Sequence, residues 1–63
     1  MTGVIFTRLD GQPREINPEL VADISPAIPS IHGDVAKTLI IEGSGTQVLV
    51  TEDFAEVRRR LNW

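Results

Sequence analysis

The sequence contains no cysteine and only one histidine, His32. A chain without cysteine forms no disulfide and offers no thiolate to a zinc ion. A single histidine also excludes a His-rich metal site. We therefore predict no metal site and no cofactor. Because cysteine-free chains suit a reducing compartment, we expect the protein to be cytoplasmic.

Long apolar runs and an excess of positive charge are also lacking. No segment approaches the roughly 20 apolar residues that a membrane-spanning helix needs, so we expect no membrane insertion. The N-terminus has neither the basic start nor the apolar stretch of a signal peptide. Nine acidic residues against six basic residues give a net charge of −3, which disfavours nucleic-acid binding.

The length of 63 residues limits the chain to one domain, residues 1–63. A domain this small buries a smaller share of its unfolded surface than a larger domain does. Small domains that lack disulfides and metals often gain stability by oligomerisation. We therefore expect the chain to associate with a protein partner or with further copies of itself.

Five short segments are rich in β-branched and aromatic residues, which is typical of strands. Asp10-Gly11 and the Gly-Ser-Gly sequence at 43–45 are turn sequences, because glycine tolerates a positive φ. Pro13 lacks a backbone N–H, which places the second strand at a sheet edge. The predicted strands cover residues 4–9, 12–16, 20–24, 35–42 and 46–50.

Two segments depart from simple alternation. Residues 26–34 contain Pro26, Pro29 and Gly33, and we predict a loop there that tolerates lengthening. Residues 39–41 (Leu-Ile-Ile) form a continuous apolar run, which predicts a strand covered on both faces. The C-terminal helix and the sheet interior would provide the two covers, or one cover would come from another chain.

The C-terminal segment has the pattern of an amphipathic helix. Thr51 is the predicted N-cap, and Glu52 and Asp53 fall in the first turn, where the helix dipole favours anions. Glu56 and Arg60 form an i,i+4 ion pair. The apolar stripe of the helix consists of Phe54, Val57 and Leu61.

These elements predict a mainly β fold, a five-stranded antiparallel small sheet or partial barrel with a C-terminal amphipathic helix packed on it. The core is expected to combine the inward positions of the strands, which are Val4, Phe6, Leu9, Ile16, Leu20, Ile24, Leu39, Ile41, Val48 and Val50.

Three motifs give the sequence a distinctive pattern. They are residues 7–12 (Thr-Arg-Leu-Asp-Gly-Gln), 16–21 (Ile-Asn-Pro-Glu-Leu-Val) and 48–52 (Val-Leu-Val-Thr-Glu). With this pattern the chain resembles the small flagellar FlbD family, also called the SwrD swarming-motility proteins. The resemblance is strong over 7–21 and moderate over 46–61. Residues 26–36 form a longer loop than the family usually has, and Gln12 stands where lysine is common.

The resemblance implies a small β domain in which a hairpin and an asparagine-led third strand precede a strand pair and a short helix. It also implies no enzymatic activity, and a role in flagellar motor function through protein contacts. The family supplies no catalytic residues. The matched positions resemble hairpin and packing residues, and they are Arg8, Asp10, Gly11, Asn17 and Leu20.

The sequence offers few candidates for catalysis. Ser30, His32 and Asp34 include the residue types of a catalytic triad, but a Pro/Gly-rich loop rarely holds such neighbours in the required hydrogen-bonded order. A phosphate-binding loop needs glycines that open a helix after a strand, and neither glycine turn has that setting. We therefore predict no enzyme activity, no catalytic residue and no small-molecule substrate.

The candidates for interaction lie in the fourth strand and at the helix end. Arg58, Arg59 and Arg60 point about 100° apart on a helix, so they form no flat basic patch, and stabilisation of the helix end is the competing explanation. Trp63 either packs on the core or anchors a partner, because tryptophan is common at interface hot spots. The candidate interaction residues are Leu39, Ile41, Arg58, Arg59 and Trp63.

Taken as a sequence, the chain is predicted to be a non-catalytic protein-interaction module that acts as a homo-oligomer and resembles motility accessory proteins. The alternative is a nucleic-acid-binding regulator, since strand pairs that end in a short helix also resemble the LytTR-type DNA-binding domains. Those domains are larger and more basic than this chain. Specific duplex binding that survives moderate salt would distinguish the two functions.

Overall fold

A computed structural model describes residues 3–63 of the chain. It contains five strands, one short helix α1 and a C-terminal helix α2. A single 3-10 turn at Pro18–Leu20 connects the second and third strands. The bounds are β1 (Val4–Thr7), β2 (Pro13–Ile16), β3 (Val21–Pro26), α1 (Pro29–His32), β4 (Thr38–Glu42), β5 (Gln47–Val50) and α2 (Phe54–Leu61).

The predicted mainly β class, with its antiparallel strands and C-terminal helix, is confirmed. The strands divide into two sheets: β1 pairs with β2, and β3, β4 and β5 form a three-stranded sheet in that order. A bridge between Arg8 and Val50 joins them, and the Thr51 N–H donates to the Thr7 carbonyl at 3.0 Å. Because the two sheets are joined by these contacts and not by continuous strand pairing, residues 3–63 form no closed barrel.

Both predicted glycine turns are confirmed. Gly11 adopts a φ of 87°, and the Asp10 carboxylate accepts a hydrogen bond from the Gln12 N–H at 3.0 Å. Gly45 adopts a φ of 92° between β4 and β5. A side chain with a Cβ is strained at such a φ, so glycine is the favoured residue at both turns.

The core lies between the two sheets and α2. Five predicted core residues, Phe6, Ile16, Ile24, Val48 and Val50, are buried there, and Val4 packs against them while partly exposed. The apolar stripe of α2 is also confirmed. Val57 and Leu61 are buried, and Phe54 packs against the cluster.

Two predicted core residues are instead exposed. Leu20 is 58% exposed because it lies in the 3-10 turn that Asn17 caps, and not in β3. The pairing of β3 with β4 then shifts between Val21 and Asp23, so Ile24 is buried as predicted although Leu20 is not. Leu9 lies just beyond β1 and is also exposed.

The apolar run of β4 follows ordinary alternation. Ile40 is fully buried and lies opposite Val48, whereas Leu39 and Ile41 point to the other face and are only partly buried. The prediction that Leu39 and Ile41 belong to the core is therefore wrong. Thr38 takes the remaining inward position, and its hydroxyl donates to the Glu52 carbonyl at 2.8 Å.

The segment predicted as a loop is partly ordered. β3 continues to Pro26, and α1 forms one helical turn that begins at Pro29. Pro29 suits this position because the first helical N–H has no intrahelical partner. β4 begins at Thr38, later than predicted, and Val35 before it is exposed.

The helix α2 begins two residues later than predicted. Its N-cap is Asp53, whose carboxylate accepts from the Glu56 N–H at 2.8 Å, and not Thr51. Glu52 is not part of the first turn, because its carboxylate accepts from the backbone N–H and the hydroxyl of Thr7, at 3.0 and 2.9 Å. This contact fixes the entry to α2 against β1.

The helices of this fold are short, which concerns the prediction that the chain does not insert into a membrane. α2, the longer helix, has eight residues, and no helix within residues 3–63 is long and apolar enough to span a bilayer.

Candidate interaction surfaces

The three helix arginines are engaged within the chain. Arg59 and Arg60 both bind the Glu56 carboxylate, and Arg60 also donates to the Ile5 carbonyl at 3.1 Å. Hydrogen bonds from Arg59 and then Arg60 lower the pKa of Glu56, and the Glu56 carboxylate raises the pKa of Arg59. Arg59 and Arg60 therefore stabilise α2 through Glu56, and Arg60 also attaches the helix to β1.

The remaining helix arginine and the terminal tryptophan are linked to each other. Asn62 adopts a left-handed φ of 60°, and the Trp63 N–H donates to the Arg58 carbonyl at 2.9 Å. The Arg58 guanidinium donates to the Trp63 carbonyl at 3.2 Å and lies 5.9 Å from the Phe54 ring centre. The Trp63 side chain stays 45% exposed, outside the core.

The structure does not bring the five candidate interaction residues together. Leu39 and Ile41 lie on the face of β4 that points away from the core. Arg58, Arg59 and Trp63 lie at the end of α2, which packs on the core side through Val57 and Leu61. These residues therefore belong to two different surfaces.

Exposed apolar residues lie in and around α1, and the sequence analysis did not predict this surface. Ile28, Ile31 and Val35 are 49%, 72% and 56% exposed. Ile28 and Ile31 lie in the segment predicted as a loop, and Val35 is the first residue of the predicted fourth strand. We call these three side chains the α1 patch. These aliphatic side chains could have indicated an exposed apolar surface, but the nearby prolines and glycine favoured the prediction of a loop.

His32 holds the α1 patch in place and is not arranged as a triad member. Its Nδ1 accepts a hydrogen bond from the Ile28 N–H at 3.0 Å. Within the part of the chain that the structure describes, neither Ser30 nor Asp34 hydrogen-bonds to the imidazole. The ring therefore fixes the backbone of one helical turn.

An open groove lies between the β1–β2 hairpin and β5. It has a volume of about 390 Å³. Arg8, Leu9, Asp10 and Arg14 line one side, and residues 46–49 line the other. The groove exists because β1 and β5 meet at one bridge and then diverge.

The two groove arginines differ from the helix arginines. Arg8 lies 3.3 Å from Asp10 and Arg14 lies 3.7 Å from Glu42, but within residues 3–63 neither guanidinium donates a hydrogen bond to a protein acceptor. Both side chains are substantially exposed. The Arg8–Asp10 pair is exposed on both sides, and such pairs stabilise a fold by about 0–1 kcal/mol, so the Arg8 guanidinium remains available to an anionic ligand. Arg14 pairs at a longer distance with Glu42, whose side chain is only 17% exposed.

A second concavity of about 390 Å³ lies near the 3-10 turn. Leu20, Val21 and Ala22 line it together with the carboxylates of Glu19 and Glu42. Across the described residues, no group of three or more His, Cys, Asp or Glu side chains is placed to hold a metal ion. This second site offers two acids and no complementary base.

Comparison with protein-family models, with curated proteins and with solved structures found no match for this chain.

Proposed function

We propose that this protein is a non-catalytic interaction module that self-associates through the α1 patch. The supporting observation is the exposure of Ile28, Ile31 and Val35 within eight consecutive residues. Fully burying one such side chain stabilises an association by about 1.5–3 kcal/mol. A 63-residue chain has a small core, so this additional burial would add substantially to its stability.

The local structure presents this patch at low entropic cost. Pro29 restricts the backbone at the start of α1, and the bond from the Ile28 N–H to His32 closes the turn. The patch is therefore ordered before it binds. Less conformational entropy is lost on association than for a flexible loop.

The arginine contacts support a protein partner over a nucleic acid. Arg59 and Arg60 are bound to Glu56, and Arg58 is bound to the chain end. A net charge of −3 also opposes non-specific phosphate binding. A nucleic-acid-binding regulator is for these reasons the weaker candidate.

The cellular setting in this proposal comes from the sequence resemblance to the small flagellar proteins. In this proposal the module is an accessory of the flagellar motor that acts through protein contacts, and it acts in the cytoplasm, the compartment that the lack of cysteine favours. The motifs at 7–12 and 16–21 support this assignment. A pull-down from native lysate, with and without nuclease, tests it by identifying the partner.

Light-scattering mass across a concentration series tests self-association. The monomer mass is 6.9 kDa, and we expect the wild-type protein to exceed it in a concentration-dependent manner. Ile31→Asp should return the mass to that of the monomer. Leu20→Asp is the matched control, because Leu20 is similarly exposed on a different surface.

A wild-type protein that stays monomeric at high concentration would contradict self-association. Equal effects of Ile31→Asp and Leu20→Asp would show that association does not use the α1 patch. Circular dichroism of each variant establishes that the fold is retained.

A further inference from the structure

The sheet edges of this fold differ in how they are protected against strand addition. β2 carries Pro13, and β3 ends in Pro26 and contains a bulge beside Asp23. Prolines, bulges and charged residues are the usual means by which proteins block pairing at an edge. Both outer edges therefore have such protection.

The edge of β5 along the groove has none of these features. Its residues are Gln47, Val48, Leu49 and Val50, with no proline, no charge and no shift in register. Within residues 3–63, its strand pairing toward β1 is limited to the bridge between Val50 and Arg8, the residue that follows β1. An unprotected edge beside open space is suited to receiving another strand.

The backbone of β5 directs into the groove the N–H and C=O groups that an added strand would pair with. The Glu42 N–H donates to the Thr46 carbonyl at 2.9 Å, which makes residues 42 and 46 a hydrogen-bonded pair. Such pairs alternate along an antiparallel ladder, so residues 40 and 48 form the next one. The N–H and C=O of Gln47 and the N–H of Leu49 then point away from β4.

The arginines on the hairpin side of the groove, opposite β5, indicate which chemical group a ligand would carry. Arg8 and Arg14 lie on one face of the hairpin, because Arg14 is opposite Phe6 and Arg8 follows β1, two residues after Phe6. Both line the groove, where Arg8 is held by an ion pair with Asp10 at 3.3 Å and Arg14 by one with Glu42 at 3.7 Å. A ligand carboxylate would compete with these two acids. Guanidiniums bind carboxylates through paired, charge-assisted hydrogen bonds.

We propose that the groove binds an extended peptide segment of a partner protein that carries an Asp or Glu side chain. The segment adds as a strand to the edge of β5, and its carboxylate binds Arg8, Arg14 or both. This proposal deepens the proposed function by naming the chemistry of the partner. It uses a surface separate from the α1 patch.

Selection from a phage library of random twelve-residue peptides tests this proposal. The bait is the Ile31→Asp protein, so that self-association through the α1 patch does not enter the result. We expect enrichment of peptides that contain Asp or Glu within a proline-free segment. The Arg8→Gln/Arg14→Gln double variant should bind an enriched peptide about tenfold more weakly, because hydrogen bonds to a charged group are lost.

Arg59→Gln is the matched control, since it removes a guanidinium outside the groove and should leave peptide affinity unchanged. Amide shifts in ¹⁵N spectra locate the bound peptide, and we expect the largest changes at Gln47 and Leu49. Replacing the Asp or Glu of the enriched peptide by Gln should reproduce the tenfold loss. Proline at alternate peptide positions should abolish binding, because it removes the backbone donors.

Three results would overturn the proposal. They are the absence of enriched peptides, enrichment that persists in the double variant, and amide shifts that map outside residues 46–49. Binding of a single-stranded DNA oligonucleotide at Arg8 and Arg14, without peptide binding, would also overturn it. None of these results affects the light-scattering test of self-association.

Discussion

Replacing Ile40 by alanine is the most direct test of how β4 faces the core. Ile40 is fully buried in a cluster with Val48, Val57 and Leu61, whereas Leu39 and Ile41 are only partly buried on the opposite face. Truncation to alanine removes three carbon groups, worth about 2.4 kcal/mol at about 0.8 kcal/mol each. The cavity left behind raises the total cost to about 3–4 kcal/mol.

That cost is large for a chain of this size. At about 0.05–0.15 kcal/mol per residue, the free energy of unfolding of 63 residues is roughly 3–9 kcal/mol. Urea unfolding followed by circular dichroism at one protein concentration measures the difference. With a slope of about 1 kcal/mol per molar urea, the midpoint of Ile40→Ala should fall by about 3 M, or the variant should be unfolded.

Leu39→Ala and Ile41→Ala are the matched controls in the same strand. Each leaves the core face intact, so each should cost about 1 kcal/mol or less. If either control costs as much as Ile40→Ala, then the strand faces the core in the opposite register and the structural argument for β4 is refuted.

Three further predictions concern α2. Asp53→Ala should lower the free energy of unfolding by about 1 kcal/mol in urea titrations, while Thr51→Ala should change it little, because Asp53 caps the helix. Asn62→Gly should be neutral or raise the melting temperature, whereas a β-branched residue there should lower it, since φ is 60°. The lowered pKa of Glu56 means that its ion pairs stabilise the fold fully above its ordinary pKa of 4.5 and are lost as the pH falls through the lowered value. Acid titrations followed by circular dichroism should therefore show a smaller loss of stability in Glu56→Gln; an identical loss would contradict this reasoning.

The contacts of the candidate arginines could not be predicted from local sequence patterns. Arg58 and Arg59 were selected from the sequence as interaction residues, but the fold binds them to Trp63 and Glu56. The groove arginines, Arg8 and Arg14, belong to strand segments whose sequence suggests only hairpin packing. Their availability depends on the distances to Asp10 and Glu42, which no sequence pattern contains.

Features that depend on a few neighbouring residues follow from the amino-acid sequence alone. Asp10-Gly11 set the hairpin, the glycines at 43 and 45 set the second turn, and the spacing of Val57 and Leu61 set the buried stripe of α2. Turn conformations and helical periodicity result from local sterics and local burial. These predictions were therefore independent of the rest of the fold.

Tertiary contacts set which face of each strand is buried and where α2 begins. The apolar run at 39–41 is compatible with either register, and pairing with β5 selected Ile40 for the core. Thr51, Glu52 and Asp53 are all acceptable near a helix start, but Thr7 engages Glu52 and leaves the cap to Asp53. Such choices depend on partners distant in sequence, because burial and hydrogen bonding are set by the chain that packs opposite.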